Sequence, residues 1–238
     1  MKISMMQPYL FPYIGYFQLI NLSDYFGIAN DVQFIKRGWI NRNRILQNSE
    51  SNIFSFSVKK DSFQKNIKER YFTDNFNNEK KYFFKRLKQN YIQAPFYTET
   101  IQFLDFVFEF KETNISKFNE NQLKLICNYL EINTIFINPS LMIFDKNIGK
   151  NAEDRVIKRL KKLDKLEIKQ FINPIGGKEL YHKDFFKKNN FELIFIKPNE
   201  ISYKQFNNNF ISNLSIIDVM MFNSVGKIKD MLNEYTLI

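Results

Sequence analysis

The chain has 238 residues, a net charge of +10 and a pI near 9.4, with 44% hydrophobic and 25% charged residues and one cysteine. That length buries a sizeable core in one large domain or a domain with an inserted subdomain, the composition excludes a disordered chain, and a single cysteine excludes a disulfide scaffold. The positive charge favours anionic partners (nucleotides, nucleic acid or an anionic membrane surface) without choosing among them, and because Lys, Asn, Ile and Phe abound throughout, that charge is diffuse.

Lys2 to Met6 reads as a short buried strand and Gln7-Pro8-Tyr9-Leu10-Phe11-Pro12 as a turn in which two prolines forbid regular structure. The opening residues are too short for a signal peptide, and nowhere do about 18 apolar residues run together, so no membrane span is expected. Ile14 to Leu22 predicts a short helix with Phe17, Leu19 and Ile20 on its apolar face. Tyr25 to Phe34, rich in aromatic and β-branched residues, predicts the next strand. A strand, loop, helix, strand unit builds parallel sheets with right-handed crossovers. Its ligands sit outside the carboxyl ends of the strands, where Gln7 and the segment after the second strand both fall.

That segment, Asp31 to Arg44, carries Lys36, Arg37, Arg42 and Arg44, a turn marker in Gly38 and the only tryptophan, Trp39, with no acidic residue between Asp31 and Glu50. Guanidinium forks take paired anionic oxygens and an indole supplies a stacking face, the chemistry of a site for a phosphate-bearing ligand. A solvated basic loop anchored by Trp39 is the alternative. Ile53 to Val58 alternates apolar residues with serines and predicts a half-buried strand pairing antiparallel with the preceding one.

From Asn75 to Leu130 the period becomes helical, with stripes Phe83, Phe84, Leu87, Tyr91; Ile101, Leu104, Phe106, Val107; and Phe118, Leu123, Ile126, Leu130. Pro95 breaks the first two, and Asn114 to Lys117 offers caps for the third. Residues 75–131 thus read as a helical insertion, able to lid the cleft, within a single α/β domain of residues 1–238. Cys127 falls at core spacing, which fits a reducing, cytoplasmic setting. With His182 the only histidine, a Cys/His zinc site is implausible and a Ser-His-Asp triad has only His182 to use. Metal held by carboxylates stays open.

After Leu130 the α/β rhythm returns: strand Thr134 to Ile137, a turn at Asn138-Pro139-Ser140, helix Ala152 to Leu163, strand Leu166 to Ile172, loop Asn173 to Gly177, helix Lys178 to Lys188 and strand Glu192 to Lys197. Gly176-Gly177 lies between a strand and a helix start, where bare amides cradle phosphate; a plain tight turn is the competing reading. Arg155, Lys158, Arg159, Lys161 and Lys162 read as a solvated basic face, with Asp154-Arg155 near the helix start the only candidates to face the cleft. Leu214 to Asn223 is an apolar helix with Ser215 and Asp218 placed as caps. The fold class expected is α/β, a mainly parallel Rossmann-like sheet with flanking helices and a helical insertion.

Met6-Gln7-Pro8-Tyr9-Leu10-Phe11-Pro12-Tyr13-Ile14-Gly15-Tyr16-Phe17, Asp31 to Phe34 and Trp39 to Arg44 resemble the WbqC-like family of O-antigen gene-cluster proteins. Ala94 to Tyr97, Gly176-Gly177 with Leu180-Tyr181, Tyr203 to Phe206 and Leu214 to Asp218 extend the resemblance over nearly the whole chain. Some of that family begins the first motif with His-Gln-Pro, where this chain has Met6, and commonly shows paired aspartates, where this chain has Asn30 and Asp31. The resemblance implies modification of a sugar in surface-polysaccharide synthesis, with glycine transfer onto an amino sugar the suggested activity. Phe11 to Tyr16 is also placed like the His-x-Gly-His loop of nucleotidylyltransferases and pantothenate synthetases, with Tyr13 and Tyr16 in place of the histidines, whose absence counts against adenylation chemistry.

Amide formation on a sugar amine needs a proton acceptor, oxyanion donors and cations for a phosphate. Asp31 is the candidate acceptor or amine orienter; Gln7, Asn41 and Asn43 are candidate polar orienters; Lys36, Arg37, Arg42 and Arg44 are candidate anchors for a nucleotide-sugar diphosphate. Trp39 or Tyr181 would stack on base or sugar, and Gln33, Asp154, Arg155, Gly176, Gly177 and Gln205 complete the candidate binding set. The partners expected are a nucleotide-linked amino sugar and glycine or an activated amino-acid donor, with aminoacyl-tRNA one option. No cofactor is required by the sequence, and ATP stays open. Two alternatives come from other classes: an RNA-binding or tRNA-dependent protein, and a non-catalytic scaffold docking through the Phe-rich helices of residues 83–110.

Overall fold

The computed structural model describes residues 1–62, 64–138, 141, 149–206 and 209–238. In chain order, β1 (Lys2–Met6), α1 (Ile14–Leu22) and β2 (Tyr25–Ile28) are followed by a hairpin of β3 (Arg42–Gln47) and β4 (Glu50–Ser55). Helices α2 (Phe76–Tyr91), α3 (Tyr97–Val107) and α4 (Ile115–Tyr129) come next. The last part comprises β5 (Ile135–Phe136), α5 (Ala152–Lys162), β6 (Gln170–Pro174), α6 (Lys183–Lys188), β7 (Glu192–Pro198), α7 (Ile216–Phe222), α8 (Val225–Met231) and β8 (Tyr235–Leu237).

Six strands form one sheet in the order β5-β2-β1-β6-β7-β8, parallel except where β8 runs antiparallel along the edge of β7. The strands are short and apolar because both faces are covered. Ile3, Met5, Phe171, Leu193 and Phe195 pack with Val156, Ile157 and Leu160 of α5 and Phe186 of α6. Phe26, Ile172 and Ile196 pack on the other side with α1, α4, α7 and α8. Ser4 takes the alternate face of β1 and is completely buried, its hydroxyl bonded by that of Ser23 at 2.9 Å. From β1 the chain builds outward through β2 and β5, then returns through α5 to lay β6 against the other side of β1. The direction of sheet growth therefore reverses between β1 and β6, opening a crevice at their carboxyl ends.

Several expectations need correction. The second strand stops at Ile28, well short of Phe34, because residues 30–34 spend their backbone groups on residues 65–68 instead of the sheet: Phe34 N on Lys65 O, and Val32 O and Asn30 O accepting from Ile67 and Lys68. The Ile53 strand pairs with Arg42–Gln47, not with the second strand. Asn48 and Ser49 turn that hairpin at φ of 50° and 64°, the left-handed geometry of a tight primed turn. The helix expected from Lys178 is confined to Lys183–Lys188, after a 3-10 turn at Ile175–Gly177, and the strand expected from Leu166 starts at Gln170. Asn114 and Ser215 cap α4 and α7 as expected, accepting from Lys117 N and Ile217 N. Asp218 instead lies inside the core. Pro139 and Ser140 of the turn read after β5 lie outside the described residues. Among the described residues no helix is long and apolar enough to cross a membrane.

Candidate functional site

The proline-bounded loop after β1 is built from outside itself. Every carbonyl from Gln7 to Pro12 has a partner: Tyr16 Oη donates to Gln7 O, Asn119 Nδ2 to Pro8 O, Gln122 Nε2 to Tyr9 O and Ile216 N to Pro12 O. Asn43 Nδ2 donates to Leu10 O at 2.9 Å and Phe11 O at 2.6 Å, and Ser215 Oγ adds a second bond to Phe11 O at 2.7 Å. Phe11 sits at φ 41°, strained for a side chain followed by proline, and is completely buried. Gly15 lets the Tyr13 ring fold over the start of α1: a Cβ there would lie 2.4 Å from that ring and displace it.

This clamped loop delivers Gln7 and Tyr9 to a cleft of about 550 Å³ at the carboxyl ends of β1 and β6. Trp39 and Gly38 supply one wall and Gly176, Gly177 and Tyr181 another, with Arg159 and Asn173 as further polar members. The remaining surface is mainly apolar, from Met5, Met6, Val32, Ile35, Val156, Phe171 and Leu180. Gly177 permits a close approach: a Cβ there would fall 1.9 Å from Asn173 Nδ2. Burial raises the Tyr181 phenol, opposed by the Arg155 and Arg159 charges and reinforced by Glu153. Burial also pushes Tyr9 well above the usual phenol value, with Tyr13 adding to the effect.

Arg159, read from sequence as part of a solvated face, is 9% exposed and lines the cleft. Its Nη2 lies 2.5 Å from Oδ2 of Asp31, both side chains being 11% exposed. Glu153, Val156 and Arg159 follow at three-residue steps on α5, so one stripe of that helix turns inward. At its head, buried Glu153 accepts from His182 N at 2.5 Å and meets His182 Nδ1 at 2.9 Å, fixing the imidazole beside Tyr181. The i, i+3, i+6 spacing was the signal available in the sequence for this stripe. Asn173 carried no signal beyond its position after a strand.

Of the residues nominated from sequence, the cleft gathers Gln7, Trp39, Gly176, Gly177 and Tyr181, and Asp31 reaches it through Arg159. The cationic hook is arranged otherwise. Arg42 belongs to β3 and turns back on its own loop, Nε donating to Gly38 O at 3.0 Å and Nη2 to Arg37 O. Arg42 and Arg44 flank the Trp39 ring at 5.6 and 5.0 Å. Lys36 and Arg37 are exposed, and none of these four cations lines the cleft. Asn41 is occupied by Phe56 O at 2.7 Å and Asn43 by the loop carbonyls. Gln33 is exposed, bridged to Asn66. Asp154 serves the start of α5, accepting from Lys150 N and pairing with Lys158, while Arg155 points to solvent. Gln205 is remote from the cleft: its Nε2 donates to Asp218, which also accepts from Tyr91 and Tyr203 at 2.7 and 2.6 Å.

Cys127 is buried, which pushes its thiol up to about 12 and leaves it inert. Among the described residues no three His, Cys, Asp or Glu side chains group as a metal site.

These features define a mostly parallel α/β protein with a candidate ligand crevice at the switch point of its sheet. The chain belongs to the WbqC-like protein family, the match running from residue 7, where the clamped loop begins, to residue 230. It is 33% identical over 139 residues to an uncharacterized protein, Rv1507c, of Mycobacterium tuberculosis, an alignment covering 58% of this chain and 59% of that one. The chain thus matches less than two thirds of that relative's length. No solved structure matches it.

Proposed function

We propose that the cleft binds a nucleotide-linked amino sugar and that the protein is an amide-forming transferase of surface-polysaccharide (O-antigen) synthesis, moving a glycyl or other aminoacyl group onto the sugar amine. The observation that carries this reading is the cleft itself: an apolar crevice at the carboxyl ends of two parallel strands, walled by Trp39 and Tyr181, with Gln7, Asn173 and Arg159 as its few polar groups. Membership in the WbqC-like family directs the reading toward sugars.

In the reaction the amine nitrogen bonds to the acyl carbon, the bond to the activating group breaks with its electron pair, and the ammonium proton passes to a base. Trp39 or Tyr181 stacks on the base or sugar. Gln7 and Asn173 orient the sugar, and Asp31, held by Arg159, orients the amine. His182, whose Nδ1 meets Glu153 and which follows Tyr181 of the cleft wall in the chain, is the candidate proton acceptor. Lys36, Arg37 and Arg44 contribute field at the mouth of the cleft without contact.

The test is mass spectrometry after incubating pure protein with a nucleotide-linked amino sugar and either glycine with ATP or charged tRNA, alongside titration of Trp39 fluorescence with the nucleotide sugar. A product heavier by one aminoacyl group, in either arm, is the expected result, and the productive arm identifies the donor. No product and no change in Trp39 emission overturns the reading. Steeply salt-dependent retention of tRNA without sugar binding would favour an RNA-directed protein instead.

A further inference from the structure

Three large apolar side chains at the mouth of the cleft face water although all three line it: Ile35 is 62% exposed, Trp39 41% and Leu180 59%. They come from two segments, the loop before β3 and the turn before α6, separated in sequence and joined only across the cleft. Isolated exposed apolar residues are ordinary, but three converging around one apolar opening make a patch. Those two segments expose Lys36, Arg37 and Lys178 against the carboxylate Glu179, and the elements that follow them, β3 and α6, expose Arg44 and Lys183 with Asp184. The guanidinium carbons of Arg42 and Arg44 lie 5.6 and 5.0 Å from the centroid of the Trp39 ring.

An aliphatic and indole rim set in an excess of cations is complementary to a bilayer that offers acyl chains beneath an anionic headgroup layer, where tryptophan also prefers to lie. A face made for RNA would use the cations and the indole but gain nothing from exposed Ile35 and Leu180. We propose that this rim docks on the anionic surface of a phospholipid bilayer, seating Ile35, Trp39 and Leu180 at the boundary between headgroups and acyl chains, so that the cleft opens onto the membrane. The docking is peripheral. It shares Trp39 and the mouth of the cleft with the ligand site proposed above, yet lipid binding alone tests it.

Trp39 is the only tryptophan, so its emission reports the rim without labelling. The full chain is mixed with vesicles of equal phosphatidylglycerol and phosphatidylcholine, and separately with phosphatidylcholine alone, and followed by sedimentation and Trp39 emission. Binding to the anionic vesicles with a blue shift, weakened by salt, is expected. Lys36→Glu with Arg37→Glu should lower partitioning more than about twentyfold, at about fivefold for each cation removed. Ile35→Ser with Leu180→Ser should lower it about tenfold. All four positions are exposed, and a thermal melt of each variant confirms its fold. Three results would overturn the proposal: no binding at low salt; binding without a blue shift and indifferent to the Ile35 and Leu180 changes, as diffuse charge alone would give; or displacement from vesicles by tRNA retained more tightly in the same salt.

Discussion

Asn43 separates a side chain that holds the site together from one that works in it. It is 4% exposed; Nδ2 is divided between Leu10 O and Phe11 O, and Oδ1 accepts from Arg44 N at 2.8 Å. In Asn43→Ala, Phe11 O keeps its bond from Ser215 Oγ, whereas among the described residues no second side chain donates to Leu10 O. One orphaned buried carbonyl costs about 1–3 kcal/mol, and the net worth of the other lost bonds is about 1 kcal/mol each. The loss is expected to total about 3–5 kcal/mol, which for a chain of this length lowers Tm by about 6–20 °C in a calorimetric melt. Asn43→Asp should cost more, because a carboxylate would face two carbonyl oxygens in a buried site. If Asn43 instead acted on a ligand, the alanine variant would lose ligand binding with Tm unchanged; a Tm within about 1 °C of the parent would refute the structural account.

Arg159→Met leaves Asp31 largely buried without this guanidinium and should destabilise by about 3 kcal/mol in urea unfolding, while the double variant with Asp31→Asn should recover part of that loss; additive effects would sink the coupling. Asp218 is held above the ordinary carboxylate value by burial, despite hydrogen bonds from Tyr203, Tyr91 and Gln205 that pull it down. An acid raised in the fold binds its proton more tightly folded than unfolded, so stability falls as pH rises from the unfolded value through the folded one and is level above it. Urea midpoints from acid to neutral pH should show that slope in the parent and lose it in Asp218→Asn; identical profiles would refute it. Gly177→Ala must rotate the Asn173 amide, a flexible obstacle, so stability should change by less than about 1 kcal/mol while binding in the cleft weakens. Gly176→Ala meets no protein atom within 4 Å and should leave both stability and the Asn173 amide unchanged. Equal ligand titrations for the two alanine variants would count against Asn173 as a cleft donor.

The sheet and the place of its crevice were legible because they follow from local rules: an apolar strand, a proline turn, an amphipathic helix and another strand leave little choice of handedness or of where ligands go. What stayed illegible was polar and long-range. Asn43 pairs with carbonyls 33 and 32 residues away, and Arg159 with a carboxylate 128 residues away. Hydrophobic periodicity carries no information about such partners. On α5 the basic residues mask the stripe of Glu153, Val156 and Arg159, since a buried arginine and a solvated one look alike until the carboxylate is placed. The hairpin was hidden for a similar reason: Arg42, Asn43 and Arg44 read as a polar loop, yet their alternation is that of a strand whose inward polar residue has found partners.

The clamped loop has a consequence for where specificity lies. Among Gln7 to Pro12, only Gln7 and Tyr9 reach the cleft, while all six carbonyls are taken by Tyr16, Asn43, Asn119, Gln122, Ser215 and the start of α7. A loop held this way has little freedom to adapt to a ligand, and a buried Phe11 at positive φ stays put only because its surroundings over-determine it. Most of the motif that marks the family in this chain is therefore a requirement of folding. If the cleft binds the ligand proposed above, discrimination falls to the side chains that vary its shape and charge without carrying the fold: Gln7, Trp39, Asn173 and Tyr181, with Arg159 set by its carboxylate partner.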